Sequence, residues 1–347
     1  MIKFVQYGCG KMSLYTMRYA LEKGYELVGA IDVNPNIIGK DVSTILGGND
    51  LGIKITDAKD AYELLSNIKP DIVIITTMSF MKDIKDSLMI CASLGINAIT
   101  TCEEAFYPFN SNPVLTSEID KLAKENNCTI TGSGYQDAYW GNLISTLVGS
   151  CASIREIRGS SSYNVEDYGI ALAKAHGAGL SVDEFDRVVA SSDNISDFER
   201  NKLIESGNFL PSYMWNASGW LCDKLNLHIL NQSQKCVPQF SDCDIDSKTL
   251  DMVIKKGTAT GMSAVVTTDT LEGITITAEC IGKVYSSNDF DCNNWSIIGE
   301  PDINMVINRP ATVELTCATI VNRIEDVINS EPGFVPTSRM GELKNRL

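Results

Sequence analysis

The first 32 residues constrain this chain more than any other stretch. An apolar run, Ile2-Lys3-Phe4-Val5-Gln6-Tyr7, enters the turn Gly8-Cys9-Gly10-Lys11-Met12-Ser13. An amphipathic segment from Leu14 to Lys23 follows, and a second apolar run, Leu27-Val28-Gly29-Ala30-Ile31, ends in Asp32. Strand, glycine turn, helix, strand and acid in that order form a βαβ unit built to hold a dinucleotide. Gly8 permits the tight turn, and Gly10 lets the backbone approach a pyrophosphate seated on the helix N-terminus, beside Lys11 and Met12. Asp32 stands 22 residues after Gly10, where a carboxylate hydrogen-bonds a ribose diol. Ser13 replaces the third glycine of the fingerprint and is small enough for close helix–strand packing. Asp32 repels a 2′-phosphate and residues 33–39 contain no arginine, so NAD is the preferred cofactor; Lys40 leaves NADP possible.

Alternation of strand and helix patterns continues through the first third. Ile37–Asn49 reads as helix or loop, Gly52–Ile55 as a short strand, and Ala58–Asn67 as a helix. Ile72-Val73-Ile74-Ile75-Thr76-Thr77 is a continuous apolar strand of the kind buried in a parallel sheet. Helices are expected over Ile84–Leu94 and Ser117–Glu125, with strands at Asn97–Thr101 and Thr129–Thr131. The expected fold is α/β: an N-terminal Rossmann-type, doubly wound parallel sheet over residues 1–135. Its ligands belong at the carboxyl ends of strands, at the Gly8 turn, Thr76-Thr77 and Thr101 to Glu104.

Past Gly149 the pattern changes. Runs at 155–162, 263–268 and 274–280 are strand-like, the last alternating with period two as in an antiparallel sheet with one covered face. Helical patterns lie between them, including the capping-box string Ser181-Val182-Asp183-Glu184 and segments at 201–205 and 219–226. Residues 136–310 are therefore expected to form a second, α+β domain with a mainly antiparallel sheet. Residues 311–347 supply a closing helix, near 318–328, that returns to the first domain.

Composition excludes several classes. The chain has 29 basic and 44 acidic residues, a formal charge of −15, which argues against a nucleic-acid partner. No apolar stretch reaches membrane-spanning length and no signal peptide is evident, so no membrane association is expected. Eleven cysteines at irregular spacing, without a CxxC, suit a reducing cytoplasm. With two histidines and no ligand spacing, no metal site is expected.

Strand 97–101 runs into Cys102-Glu103-Glu104-Ala105-Phe106-Tyr107-Pro108. In the sugar and inositol dehydrogenases that this architecture resembles, that strand end carries Glu-Lys-Pro, whose lysine serves alcohol–ketone chemistry. Here Glu104 takes the lysine's place and the proline is absent. Two acids favour a cationic substrate, because a carboxylate stabilises an ammonium or iminium that a lysine would repel. The same pair also suits a solvated turn or a helix N-terminus.

Tyr7-Gly8-Cys9-Gly10-Lys11-Met12, the segment Thr100 to Pro108, Gly132-Ser133-Gly134-Tyr135-Gln136-Asp137 with Trp140-Gly141-Asn142, and the stretch from Pro310 through Val321-Asn322-Arg323-Ile324 to Phe334 are further signals. Together they resemble the 2,4-diaminopentanoate dehydrogenases and related native amine dehydrogenases, within the dihydrodipicolinate-reductase-like group. The resemblance covers nearly the whole chain. It implies NAD(P)-linked oxidative deamination of a small amine, as in clostridial-type ornithine fermentation, and a homodimer formed through the second domain. It places the catalytic acid at Glu103 or Glu104; Glu103, nearer the strand end, is favoured, with Glu104 orienting it or starting the next turn.

The aromatic residues Tyr135, Tyr139, Trp140, Tyr163 and Tyr168 are expected near the substrate, with Tyr135, Trp140 and Tyr168 chosen as contacts and ordinary core or interface packing as the alternative. Among the cations Arg155, Arg158, Lys174 and His176, the last is the first choice for a substrate carboxylate because glycines flank it, with a satisfied structural histidine as the alternative reading. His228, in an apolar helical context, has no assigned role. Two alternatives remain: an NAD(P)-dependent reductase of another small metabolite, such as a dihydrodipicolinate-type imine or a semialdehyde, and a non-catalytic dinucleotide-binding redox sensor. Turnover of amines with NAD separates both from the amine dehydrogenase.

Overall fold

A computed structural model describes residues 1–346, which divide into two compact units. The first comprises residues 1–143 and 204–210 together with the chain from Ala311 onward; the second comprises 144–203 and 211–310. The expected join after residue 135 thus moves to Leu143, because Asp137 and Asn142 are bonded into the first unit.

In the first unit, β1 (Lys3–Tyr7), β2 (Glu26–Asp32), β3 (Ile55–Asp57), β4 (Ile72–Ile75), β5 (Asn97–Thr100) and β6 (Thr129–Gly132) form a sheet with a C-terminal strand, Gly333–Phe334. All neighbours are parallel, in the order Gly333–Phe334, β6, β5, β4, β1, β2, β3. The order reverses beside β1, which places a crevice at its carboxyl end. Strand periodicity sorts the apolar side chains between two layers. Val5, Val73 and Ile75 face a core with the helices Ala61–Ile68, Met81–Ser93 and Pro113–Glu125. Phe4, Ile72 and Ile74 face a second core with Met17 and Ala20 of helix Lys11–Glu22, and Ile320, Val321 and Ile324 of helix Thr312–Ile328. Four consecutive buried residues in β4 leave no solvated face, as parallel sheets require. The stretch 37–49 is mostly turns, with one short helix, Ser43–Leu46.

The second unit is built on six strands in the order Ile303–Asn308, Cys292–Glu300, Ser153–Asn164, Thr275–Lys283, Gly261–Thr270, Ile229–Gln239. Every pairing is antiparallel except Ser153–Asn164 with Thr275–Lys283. Helix Tyr213–Leu225 packs on this sheet and buries Met214, Trp220 and Leu221 among others, beginning six residues before the expected start. The capping box at Ser181 forms, with the Ser181 hydroxyl and the Glu184 carboxylate satisfying each other's backbone donors. His228 lies outside any helix, just before strand Ile229–Gln239, where its Nδ1 meets Glu272 at 2.7 Å on the surface. Leu225 ends the helix because Asn226 takes the left-handed conformation. No helix among the described residues is long and apolar enough to cross a membrane.

Candidate functional site

Gly8 leaves β1 at φ +91°, and a Cβ there would sit 2.7 Å from the Thr76 carbonyl oxygen. Only glycine fits. Its carbonyl accepts from the Gln6 side-chain amide (2.9 Å) and the Thr76 hydroxyl (3.0 Å). Gln6, fully buried, also donates to Thr76 Oγ1 and accepts from Thr16 of the following helix. A polar residue in an otherwise apolar strand was the available signal for this lock, which ties β1, the turn, the end of β4 and the helix together.

Gly10 differs. A Cβ there would meet nothing within 4 Å. It caps helix Lys11–Glu22 without a side-chain hydrogen bond, and the first turn carries no acid. The helix end therefore keeps free N–H groups and a positive dipole, with Lys11 exposed beside it. Asp32 is fixed at the end of β2 by bonds from the Cys9 N–H (2.5 Å) and the Asn34 N–H (2.7 Å). Gly8, Gly10, Asp32, Val33, Thr76 and Thr77 line a cleft of about 870 Å³ that continues along the helix Met81–Ser93. That size is ordinary for a small-molecule site. These residues fit a nicotinamide dinucleotide: an open helix N-terminus for the pyrophosphate, and a carboxylate at the second strand end for a ribose. Lys11, Met12 and Thr101 do not line the cleft. The Met12 carbonyl accepts from the Cys317 thiol, and the Thr101 N–H donates to Ile75.

At the end of β5, the strand next to β4, the two acids part company. Glu104 is buried, and both its oxygens are used. Oε2 accepts from the Met81 N–H and Oε1 from the Ser111 hydroxyl, each at 2.7 Å. Helix Met81–Ser93 has no cap of its own at Phe80, so Glu104 satisfies one of its orphan donors from a distance. Burial pushes its carboxyl above the usual range, opposed by those two bonds. Glu103 is partly buried and faces differently: burial raises its pKa too, and a bond from the Ser79 side chain holds it back. Glu104 is thus a clamp on the start of helix Met81–Ser93.

The remaining candidates separate by unit. In the first, Tyr135 stacks on Tyr139 (4.4 Å between centroids) and meets Trp140 edge-on (5.9 Å). Tyr139 and Trp140 lie in a π-helical turn, Asp137–Asn142, a form often found at functional sites. Asp137 anchors that turn. It is fully buried, paired with Arg323 Nε at 2.8 Å, and also accepts from Ser133, Asn142 and Thr337. Arg323 in turn bonds Asp326 and the Gly341 carbonyl. Two stretches that carried the family resemblance, 132–142 and 321–324, thus meet in one fully buried ion pair.

In the second unit, Tyr168 is exposed and packs edge-on against Tyr163 at 5.6 Å. His176 does not have the free nitrogen expected of a substrate ligand. Its Nδ1 lies 2.9 Å from the Leu172 carbonyl, so it carries the proton, and its Nε2 accepts from the Tyr163 hydroxyl at 2.7 Å. Burial lowers its pKa, which keeps it neutral. Arg158 is taken up by Glu156, in two bonds of 2.6 and 2.7 Å. Among the described residues no His, Cys, Asp or Glu cluster could hold a metal, and all eleven cysteines are free thiols.

Comparison with known proteins matches this architecture. The C-terminal domain of 2,4-diaminopentanoate dehydrogenase, as a family, matches residues 140–344. The 2,4-diaminopentanoate dehydrogenase of Acetoanaerobium sticklandii is 26% identical over 302 residues, 82% of this chain and 79% of that protein. The amine dehydrogenase of Mycobacterium smegmatis superposes with a TM-score of 0.82 at 34% identity, covering 99% of this chain and 97% of the other. A probable dehydrogenase from Thermotoga maritima shares the fold, with a TM-score of 0.58 at 11% identity over 97% of this chain and 92% of its own. The chain belongs to the 2,4-diaminopentanoate dehydrogenase family of NAD(P)-dependent oxidoreductases.

Proposed function

We propose that this protein oxidatively deaminates a small primary amine, with 2,4-diaminopentanoate as the first candidate and 2-amino-4-oxopentanoate plus ammonia as products. The observation that carries the reading is Glu103: a partly buried carboxyl with a raised pKa just past the end of β5, which pairs with β4, the strand whose following residues Thr76 and Thr77 line the cleft. When bound, the nicotinamide supplies the hydride acceptor. The Glu103 carboxylate attracts the substrate ammonium, whose own pKa is about 10, and takes one proton so that the nitrogen lone pair can drive the C–H bond open. A base whose pKa is raised by burial is better matched to that proton than an ordinary glutamate. Once its proton has passed to solvent, the same carboxylate takes another from water attacking the iminium carbon. It returns that proton to the departing nitrogen, and the hydroxyl proton leaves as the ketone forms. Amine, NAD and water thus give ketone, ammonium, NADH and, at neutral pH, one released proton.

Tyr135, Trp140 and Tyr168 are our candidates for packing on the substrate chain. NAD is favoured over NADP because Asp32 occupies the ribose end of the cleft, and residues 33–39 bring no arginine to it. A homodimer in a reducing cytoplasm completes the proposal; sedimentation tests the former. The central experiment follows NADH formation from NAD and a panel of amines that includes 2,4-diaminopentanoate. Glu103→Gln should lower kcat by about 10²–10⁴-fold with NADH affinity retained. Near-wild-type turnover in Glu103→Gln would remove Glu103 as the acid/base, and a strong preference for NADP would overturn the reading of Asp32.

A further inference from the structure

We propose that Asn142 is a positioning residue for the aromatic group Tyr135, Tyr139 and Trp140: its side chain latches a widened helical turn, and that turn sets which amine side chains the enzyme accepts. The proposal rests on the reading that Tyr135 and Trp140 pack on the substrate. Its basis is a spacing of five. The π-helical turn Asp137–Asn142 closes its backbone bonds over five residues, one more than the α-helix Leu143–Val148 that follows it. Residues five apart therefore come together. Asn142 Nδ2 donates to the Asp137 carbonyl at 2.9 Å and to the Asp137 carboxylate Oδ1 at 2.7 Å. Tyr135 meets Trp140 edge-on at 5.9 Å, again five positions apart.

The other end of the latch is fixed independently. Asp137 is fully buried, and Arg323 Nε and Nη2 reach its two oxygens at 2.8 and 3.2 Å. The Ser133 and Thr337 hydroxyls add bonds of 2.8 and 2.9 Å. Asn142 thus ties the end of the wide turn to an anchor that does not need it. Relaxation to α geometry would rotate the chain before the turn by about 100° against the chain after it. Tyr135 and Tyr139, stacked at 4.4 Å and four apart, suit either geometry, whereas Trp140 keeps its place beside Tyr135 only in the wide one. Loss of the Asn142 amide leaves the Asp137 carboxylate paired, so the fold should survive it.

The test compares Asn142→Ala and Asn142→Leu with the wild-type enzyme; leucine keeps the volume and lacks the donor. Each is assayed with the best amine of the panel and with a homologue one methylene longer. Both variants should raise KM for the best amine about tenfold, leave kcat within about threefold, and shrink the preference over the longer homologue by about tenfold. NADH affinity should stay at its wild-type value. Near-UV circular dichroism reads the turn without substrate: both variants should lose the aromatic signal that Trp140→Phe also removes. If the alanine variant does not fold, the leucine variant carries the test. An unchanged amine preference overturns the proposal whatever the melting temperature does, since a lower melting temperature alone would make Asn142 a structural residue; an unchanged aromatic signal overturns it too. Trp140→Ala separates the two levels of argument. If it leaves the amine preference alone, the reading of the pocket falls first; if it alters the preference while the Asn142 variants do not, only the latch falls.

Discussion

Two strand ends of one sheet, after β1 and after β5, each present a pair of chemically identical residues, and each pair is divided in the same way. After β1 the pair is Gly8 and Gly10. Gly8 turns at φ +91° against the Thr76 carbonyl, whereas a side chain on Gly10 would meet no protein atom within 4 Å. After β5 the pair is Glu103 and Glu104. Glu104 spends both oxygens on Met81 and Ser111, while Glu103 is partly exposed with a raised pKa. One member of each pair is consumed by the fold, and the other is the one that the proposed function assigns to the ligand. A functional residue is thus marked less by its chemistry than by what the surrounding protein leaves unused.

The largest break in that comparison should come from Gly8→Ala. Positive φ costs a non-glycine residue about 1–3 kcal/mol, and the contact with a backbone oxygen adds to it, for about 2–4 kcal/mol in all. The loss should appear as a lower melting temperature before any assay is run. An alanine variant that melts with the wild type would mean that the turn has another conformation open to it.

Glu104→Gln comes next, at about 1–3 kcal/mol, because an amide can accept from only one of the two donors well. It also has a pH signature. The native pKa of Glu104 lies above its ordinary value of 4.5, with burial as the leading cause. The folded state thus holds the proton more tightly than the unfolded chain. The stability gained from this group is complete below 4.5 and is lost as pH rises through the native pKa. Urea denaturation of both proteins across that window should show the wild-type advantage shrinking as pH increases. An advantage that grows instead would reverse the assignment of burial as the dominant cause.

The sheet ends were legible because local rules write them. Ile72–Ile75 is an unbroken apolar run, and Gly8, Gly10 and Asp32 keep a spacing that backbone geometry demands. What divides Glu103 from Glu104 is not local: it depends on the Met81 N–H, more than twenty positions away, which no spacing rule reveals. The same holds for Asp137 and Arg323, both within the diagnostic stretches, whose pairing spans 186 positions. The glycines beside His176 fit a ligand loop and a structural histidine alike, and only the fold shows Leu172 and Tyr163 occupying its nitrogens. Strand Ile229–Gln239 escaped notice since Asn231-Gln232-Ser233-Gln234 has no apolar alternation; pairing with Gly261–Thr270 makes it a strand.

Gly10→Ala should have the smallest effect on stability and is the sharpest test of the division. Its φ of −85° is open to alanine, and the added methyl touches no neighbour, so stability should shift by less than about 1 kcal/mol. The methyl would instead stand at the helix N-terminus, where a pyrophosphate must approach the backbone closely. A loss of about one order of magnitude in NADH affinity is the expected result, equivalent to about 1.4 kcal/mol, read by calorimetric titration with the melting temperature unchanged. Unaltered affinity would show that the open space at Gly10 is not where the dinucleotide lies. A large loss of stability would show that Gly10, like Gly8, is held by the fold, and the two glycines would no longer differ.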